Sequence, residues 1–476
     1  MQDNLTQTTE QAVSVPEEQT RRESVVTEQP VTVPMESQGL PQRPKPKAKP
    51  PIKIFAIIGG ILLVSFVLFL LIASHKSGPT TGGKVTLTYW GLWEDAPVME
   101  SVIADFERQN PNITVTYSKQ DPKEYIQRLL TRAQNGTGPD VFRFHNTWLT
   151  PLGSLLLPLP NSVMTPSQFS KTFYPVATQD LVKNGALYGI PLEIDTLSLF
   201  TNNTLLQKAN VSIPTTWETF TTIAKGLTVK DANGKIKISG AAIGTFDNIT
   251  HAPDIFSLLL VQNGVDPKQL TPASNASDAL TFYTSFAKGD GSIWDTTLEP
   301  SISGFAHGTV AMYFGYSYDV FSIKALSPSL SFTIAPVPHL PGRDMTLASY
   351  WAEGVSAKST HQKEAFLFMQ FLAQKETAQK LFTEESKTRS FGEPYAQVDL
   401  ADTVKTNALL YPFLFQAKSA ASSPFVGDTK DTVFNGPLNS YLGNAIRSVL
   451  GTTSVQSAID TLTKGTAQIF SQYAQK

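Results

Sequence analysis

The chain contains no cysteine among its 476 residues. That absence excludes thiolate catalysis, disulfides, thiolate zinc sites, Fe–S clusters and the lipid-bearing cysteine of a lipoprotein, so any membrane anchor must be polypeptide. Charge is scarce as well: Asp, Glu, Lys and Arg make up 16% of the chain, against roughly 25% in an average soluble protein. Because 38 basic residues face 40 acidic ones, the formal charge is −2, and nothing marks a nucleic-acid partner. The histidines (His75, His145, His251, His307, His339 and His361) are scattered without metal-ligand spacing. HExxH, GxSxG, the Walker A sequence and a GxGxxG after a strand are all missing, and no acidic run matches a calcium loop. No metal or cofactor is expected.

What is present falls into four stretches. Residues 1–53 are rich in Gln, Glu, Thr, Val and Pro, without period or aromatic side chain; such a segment buries too little apolar surface to offset its ordering entropy, and a disordered tail is expected. From Ile54 to Ala73 the chain runs for 20 residues without a charge, which as a helix spans about 30 Å of hydrocarbon. A transmembrane helix is expected over 54–73. Arg43, Lys45, Lys47, Lys49 and Lys53 precede it, while only Lys76 and Lys84 follow soon after, so the tail is placed in the cytoplasm and the rest outside. A cleaved signal peptide is the rival, with an unusually long leader and apolar core. A Ser/Gly/Thr/Pro-rich linker, 74–83, leads to an ectodomain over 84–476.

The ectodomain begins with an α/β rhythm. Val85, Leu87 and Tyr89 alternate with Thr86, Thr88 and Trp90, the period of a half-buried strand. Asp95 as cap, Pro97 in the first turn, and Val98, Val102 and Phe106 at helical spacing predict a helix, ended by Asn110-Pro111. ITVTY is the next strand; Asp121 and Glu124 read as a capping box, and PDVFRF is a third strand. Strand and helix in alternation imply a parallel sheet with right-handed crossovers. YGIPLEI and TLSLFTN then read as extended segments passing between lobes, followed by a capping box at Thr215 and Glu218. HGTVAMYFGYS reads as helix end, turn and buried strand, and the last ~120 residues look mainly helical.

In order and spacing, TYWGLWED, GPDVFRFHNTWL, YGIPLEIDTLSLFTNNTLL, PTTWETF, HGTVAMYFGYS and YWAEGVSAKS resemble the sugar-binding, maltose-binding-protein-like group of extracellular solute-binding proteins of ABC importers. The resemblance covers the ectodomain from about Lys84 onward. It implies an α/β, two-lobe periplasmic-binding-protein fold (type II-like), with hinge strands and a ligand cleft, here preceded by one transmembrane helix. It further implies a sugar or oligosaccharide ligand, ABC permease subunits as partners, a monomeric ectodomain, and uptake rather than catalysis. The uncleaved helix and long tail depart from the usual family member. A ligand-sensing receptor subunit and a surface glycoside hydrolase are the alternative functions.

A sugar presents C–H faces to aromatic rings and hydroxyls to carboxylates, amides and Arg. Trp90, Trp93 and Glu94 follow the first strand, where the resemblance places cleft residues; a core Trp90 and a helix-capping Glu94 are the plain alternative. His145, Asn146 and Trp148 follow the third strand, at the carboxyl end where ligand loops of open sheets collect. A packed Trp148 is the alternative there. Glu193 and Asp195, two apart on a strand, share a face; they suit sugar hydroxyls, structural hydrogen bonds, or the acid and base of a glycosidase. By resemblance Tyr316, Ser317 and Tyr318 present an aromatic ring to the ligand, and Trp351 and Glu353 form another cleft segment. Asn248 and Arg389 complete the set, with a loop amide and a surface ion pair as the ordinary alternatives.

Overall fold

The computed structural model describes residues 83–473. The expectations for 1–53, 54–73 and most of the linker therefore lie outside the described residues. Among the described residues no helix is long and apolar enough to cross a membrane.

The first lobe is built as the period-two and helical patterns require. Strand β1 (Val85–Gly91) buries Leu87 and Tyr89 and leaves Thr86 and Thr88 exposed. Helix α1 (Ala96–Gln109) buries Met99, Val102, Ile103 and Phe106, one face at three- and four-residue spacing. Strand β2 (Ile113–Lys119), helix α2 (Tyr125–Gln134) and strand β3 (Val141–His145) follow. Both β2 and β3 pair with β1 in parallel.

The helix starts differ from their expected chemistry. Asp95 is the N-cap of α1, but its carboxylate goes to Lys119 Nζ at 2.6 Å instead of capping. No capping box opens α2: Glu124 lies in the left-handed region at φ 56°, while Asp121 accepts the amide of Lys123 at 2.8 Å. The third box is displaced by one residue, to Thr216 and Thr219, because Thr216 is the residue still extended before helix α3 (Trp217–Leu227).

Between these lies the passage into the second lobe, whose sheet centres on β4 (Ser198–Asn202). After the fully buried helix α4 (Ala252–Gln262) and helix α5 (Ala273–Ser285) come β5 (Met312–Gly315) and β6 (Phe332–Ala335). Both flank β4 antiparallel, so this sheet departs from the parallel topology that the strand–helix alternation implied.

The chain then returns along β7 (Thr346–Ser349) into β8 (Trp351–Ser356), which joins lobe one antiparallel to β3. Helices α6 (Gln362–Leu372) and α7 (Lys375–Glu385) pack on that lobe, α6 against β1 and β8 and α7 against α1. A third passage leads to α8 (Asn435–Leu450) and α9 (Val455–Ser471), which pack on α5 in lobe two. All three passages meet in one small sheet, in which β7 lies between Asp195–Thr196 and Ala420–Ala421. This sheet joins the two lobes and is termed the hinge.

The third passage is locked where it enters α8. The Asp431 carboxylate accepts the amides of Val433, Phe434 and Asn435 at 2.7–3.0 Å, satisfying donors that the helix start leaves open. Replacing Asp431 with Ala is expected to lower stability by about 1–2 kcal/mol in urea unfolding; a change within 0.3 kcal/mol (about the scatter of additive surface effects) would refute the locking role.

Candidate ligand-binding cleft

A cavity of about 290 Å³ opens between the lobes against the hinge, near the lower end of the ~300–1,000 Å³ common for small-molecule sites. Lobe one supplies Trp93, His145, Trp351, Arg389 and Glu393; the hinge supplies Glu193, Asp195 and Ser349. Lobe two and the third passage supply Tyr318, Gly427, Asp428 and Thr429.

The lobe-one wall follows from the pairing of β3 with β8. In that register Trp351 lies opposite His145, and Glu353 opposite Arg143. Alternate residues share a face, so an ionic rung sits directly behind an aromatic one. The Trp351 ring meets His145 at 5.0 Å, Trp148 at 5.1 Å and Trp93 at 5.5 Å between centroids, each edge to face. Trp93 stays 38% exposed and completes the aromatic wall. Behind it, Arg143 donates from Nε to Glu353 Oε1 at 2.6 Å and from Nη1 to both Glu94 oxygens at 2.5 and 2.6 Å. Burial pushes His145 down to about 3, so this imidazole is neutral beside Ser349 Oγ at 3.0 Å.

At the hinge, Glu193 Oε1 accepts the amide of Trp351 at 2.9 Å, while its buried Oε2 has no hydrogen-bond partner among the described residues. Asp195 accepts the amides of Thr196 and Ser317, each at 2.8 Å. Burial raises the pKa of both carboxyls well above the ordinary range. Across the cavity the Tyr318 ring stacks on Tyr316 at 5.7 Å and 16°. Tyr316 is buried beneath it and donates to Asp254 Oδ1, whose other oxygen accepts the amide of Gly427.

Seven of the fifteen expected residues thus line the cavity: Trp93, His145, Glu193, Asp195, Tyr318, Trp351 and Arg389. The other eight lie elsewhere. Trp90 packs on Tyr125 with the Arg132 guanidinium 5.8 Å from its ring. Glu94 and Glu353 are consumed by Arg143, and Trp148 is fully buried with its Nε1 donating to Asn435 Oδ1. Asn146 donates to Asp180, and Asn248 donates to the carbonyls of Asp295 and Leu298, tying its loop to the segment 295–298. Tyr316 backs Tyr318, and Ser317 clamps Asp195 through its amide.

Sequence reasoning missed Ser349, Glu393, Gly427, Asp428 and Thr429. Only Glu393 carried a signal, four residues after Arg389; the others lie in passages whose side-chain periodicity says nothing about a cavity. Among the described residues no cluster of His, Asp or Glu is arranged to hold a metal ion.

Comparison with known proteins places this architecture. A binding protein of Brucella abortus is 23% identical over 394 residues, covering 80% of this chain and 93% of its own length. A cyclo/maltodextrin-binding protein crystallised with maltotetraose superimposes with a TM-score of 0.65 at 21% identity, covering 82% of this chain and 98% of its own. The GacH receptor of Streptomyces glaucescens, whose structures include a complex with acarbose, gives 0.63 at 21% identity over 82% of this chain and 99% of its own. At these identities the structural likeness establishes the two-lobe fold. The family described as bacterial extracellular solute-binding protein matches residues 101–412, more than half of the chain, and the protein belongs to it.

Proposed function

We propose that the protein captures a carbohydrate in this cleft, closes on it by rotation of the lobes about the three-stranded hinge, and delivers it to an ABC permease. The observation that carries the reading is the wall formed by Trp93 and Trp351, set beside the hinge carboxylates and opposite Tyr318. Aromatic faces take the C–H surface of a sugar, and Glu193 and Asp195 take its hydroxyls. Closure requires only that ligand bind the closed form better than the open one. The uncharged run over 54–73 supports a single membrane-spanning anchor with the tail inside. Such tethering raises the receptor's effective concentration near its transporter.

The test is thermal unfolding of the full chain in detergent against oligosaccharides, monosaccharides, polyols and amino acids. A carbohydrate at 100 times its Kd is expected to add about 2.7 kcal/mol of stability without being turned over. A shift confined to amino acids, or hydrolysis of the bound sugar, would overturn the reading. Trp351→Ala is expected to weaken binding of the stabilising sugar at least tenfold, or about 1.4 kcal/mol, with Trp351→Phe retaining most of it. Unchanged titration calorimetry for the alanine variant would remove Trp351 from the site.

A further inference from the structure

The cavity is unbalanced in charge. Among the described residues Glu193, Asp195, Glu393 and Asp428 line it, against one cation, Arg389. That cation is already engaged: its guanidinium lies 2.8 Å from Glu385 and 2.7 Å from Glu393, and over the Phe321 ring at 5.3 Å. Asp428 pairs with Lys430, and Asp195 is held by two backbone amides. Glu193 is the group left over. It is 6% exposed and lines the cavity; one oxygen accepts the Trp351 amide, and the other, itself buried, has no hydrogen-bond partner among the described residues. The nearest opposing charge, Arg143, gives its Nε and Nη1 to Glu353 and Glu94, and its Nη2 makes no hydrogen bond among the described residues, so it offsets Glu193 only through its charge.

Resting on the reading of this cleft as the carbohydrate site, we propose that its ligand is an amino-bearing carbohydrate whose ammonium group is set against Glu193. A neutral hydroxyl would give this carboxyl one hydrogen bond but no counter-charge. An ammonium supplies both the donor and the counter-charge, and a charge-assisted hydrogen bond is about twice as strong as a neutral one. The neighbouring surfaces fit the same group, because the faces of Trp351, Trp93 and Tyr318 attract a cation as well as a sugar face. The raised pKa of Glu193, caused first by burial and opposed by Arg143, with Glu393 and Glu94 adding to the rise, agrees with a site short of positive charge.

The experiment compares matched ligands on the full chain in detergent by titration calorimetry at neutral pH. The pairs are glucosamine oligosaccharides against their N-acetylated forms, and acarbose, which carries a basic amine, against maltotetraose. The amine-bearing member of at least one pair is expected to bind tenfold or more tighter, with Glu193→Gln bringing the two members of that pair level. Glu393→Gln, which removes a second cavity carboxylate already paired with Arg389, is expected to narrow the gap without closing it, and serves should the Glu193 variant not fold. Equal or tighter binding of every neutral member overturns the amino-sugar assignment and leaves carbohydrate capture standing. Binding of no member of any pair overturns the assignment as well; the wider sugar screen then decides separately whether the capture role falls with it.

Discussion

Replacing Arg143 with Met is expected to cost about 3–5 kcal/mol of folding stability, the usual penalty for stripping one partner from a buried ion pair. Arg143, Glu94 and Glu353 have side chains 1%, 3% and 0% exposed. Burial alone would lower the guanidinium's pKa, but Glu353 and Glu94 overcome that and hold it charged. Without the arginine, two carboxylates face each other in a dry site and must take up protons or draw in water. The damage should also reach the cleft, because Glu94 adjoins Trp93 and Glu353 stands two residues beyond Trp351 on the same strand face. Urea unfolding gives the first quantity, as a lower midpoint at unchanged slope. Near-ultraviolet circular dichroism of the Trp93–Trp351 pair gives the second. A loss below about 1 kcal/mol would mean that the triad barely exceeds its own desolvation cost. Replacing all three members together by apolar residues of similar volume is then the informative comparison, since it removes the penalty of the unpaired charges.

That triad also shows where the sequence stops speaking. The lobe-one scaffold was legible because β1, α1, β2, α2 and β3 each carry their own local period, and a period needs no knowledge of distant chain. Trp93 and Trp351 were legible for a different reason, through the resemblance, which places the loop after the first strand and the SYWAEGVS segment at the cleft. Glu94 and Glu353 were not separable from them by local pattern. Their partner lies 49 and 210 residues away, and nothing near either glutamate announces a buried arginine. Trp148 shares this fate, with its indole committed to Asn435, 287 residues on. The cleft segment Gly427–Thr429 was missed because it lies in the third hinge passage, whose course is set by a tertiary bond to Asp254 and a local turn bond to Asp431 and not by any helix or strand period of its own.

Stability is expected to fall by about 3 kcal/mol between pH 6.5 and 9 through one residue, His251. Its Nε2 lies 2.7 Å from Asp319 Oδ2 and its Nδ1 3.9 Å from Asp254 Oδ2, all within the buried second lobe. Burial would push the imidazolium down, but Asp319 and then Asp254 outweigh it and raise the pKa from 6.5 to about 9. Since the folded value is above the unfolded one, the contribution is complete below pH 6.5 and disappears as pH climbs through 9. Asp254, whose own pKa burial raises, loses stability in the same direction from a lower starting pH, so the wild-type slope alone does not isolate the histidine. His251→Gln does. The stability difference between wild type and variant, measured by urea unfolding, is expected to be about 3 kcal/mol near pH 6 and to vanish near pH 10; parallel curves would refute the assignment. The cleft registers the same event. Asp254 holds the amide of Gly427 at 2.9 Å, and Gly427 is cavity wall. Once the imidazolium loses its proton, Asp254 and Asp319 face each other without a counter-charge, and faster amide exchange at 427–429 is expected to precede global unfolding. Ligand held by that wall should then be released at a pH where the fold as a whole still stands.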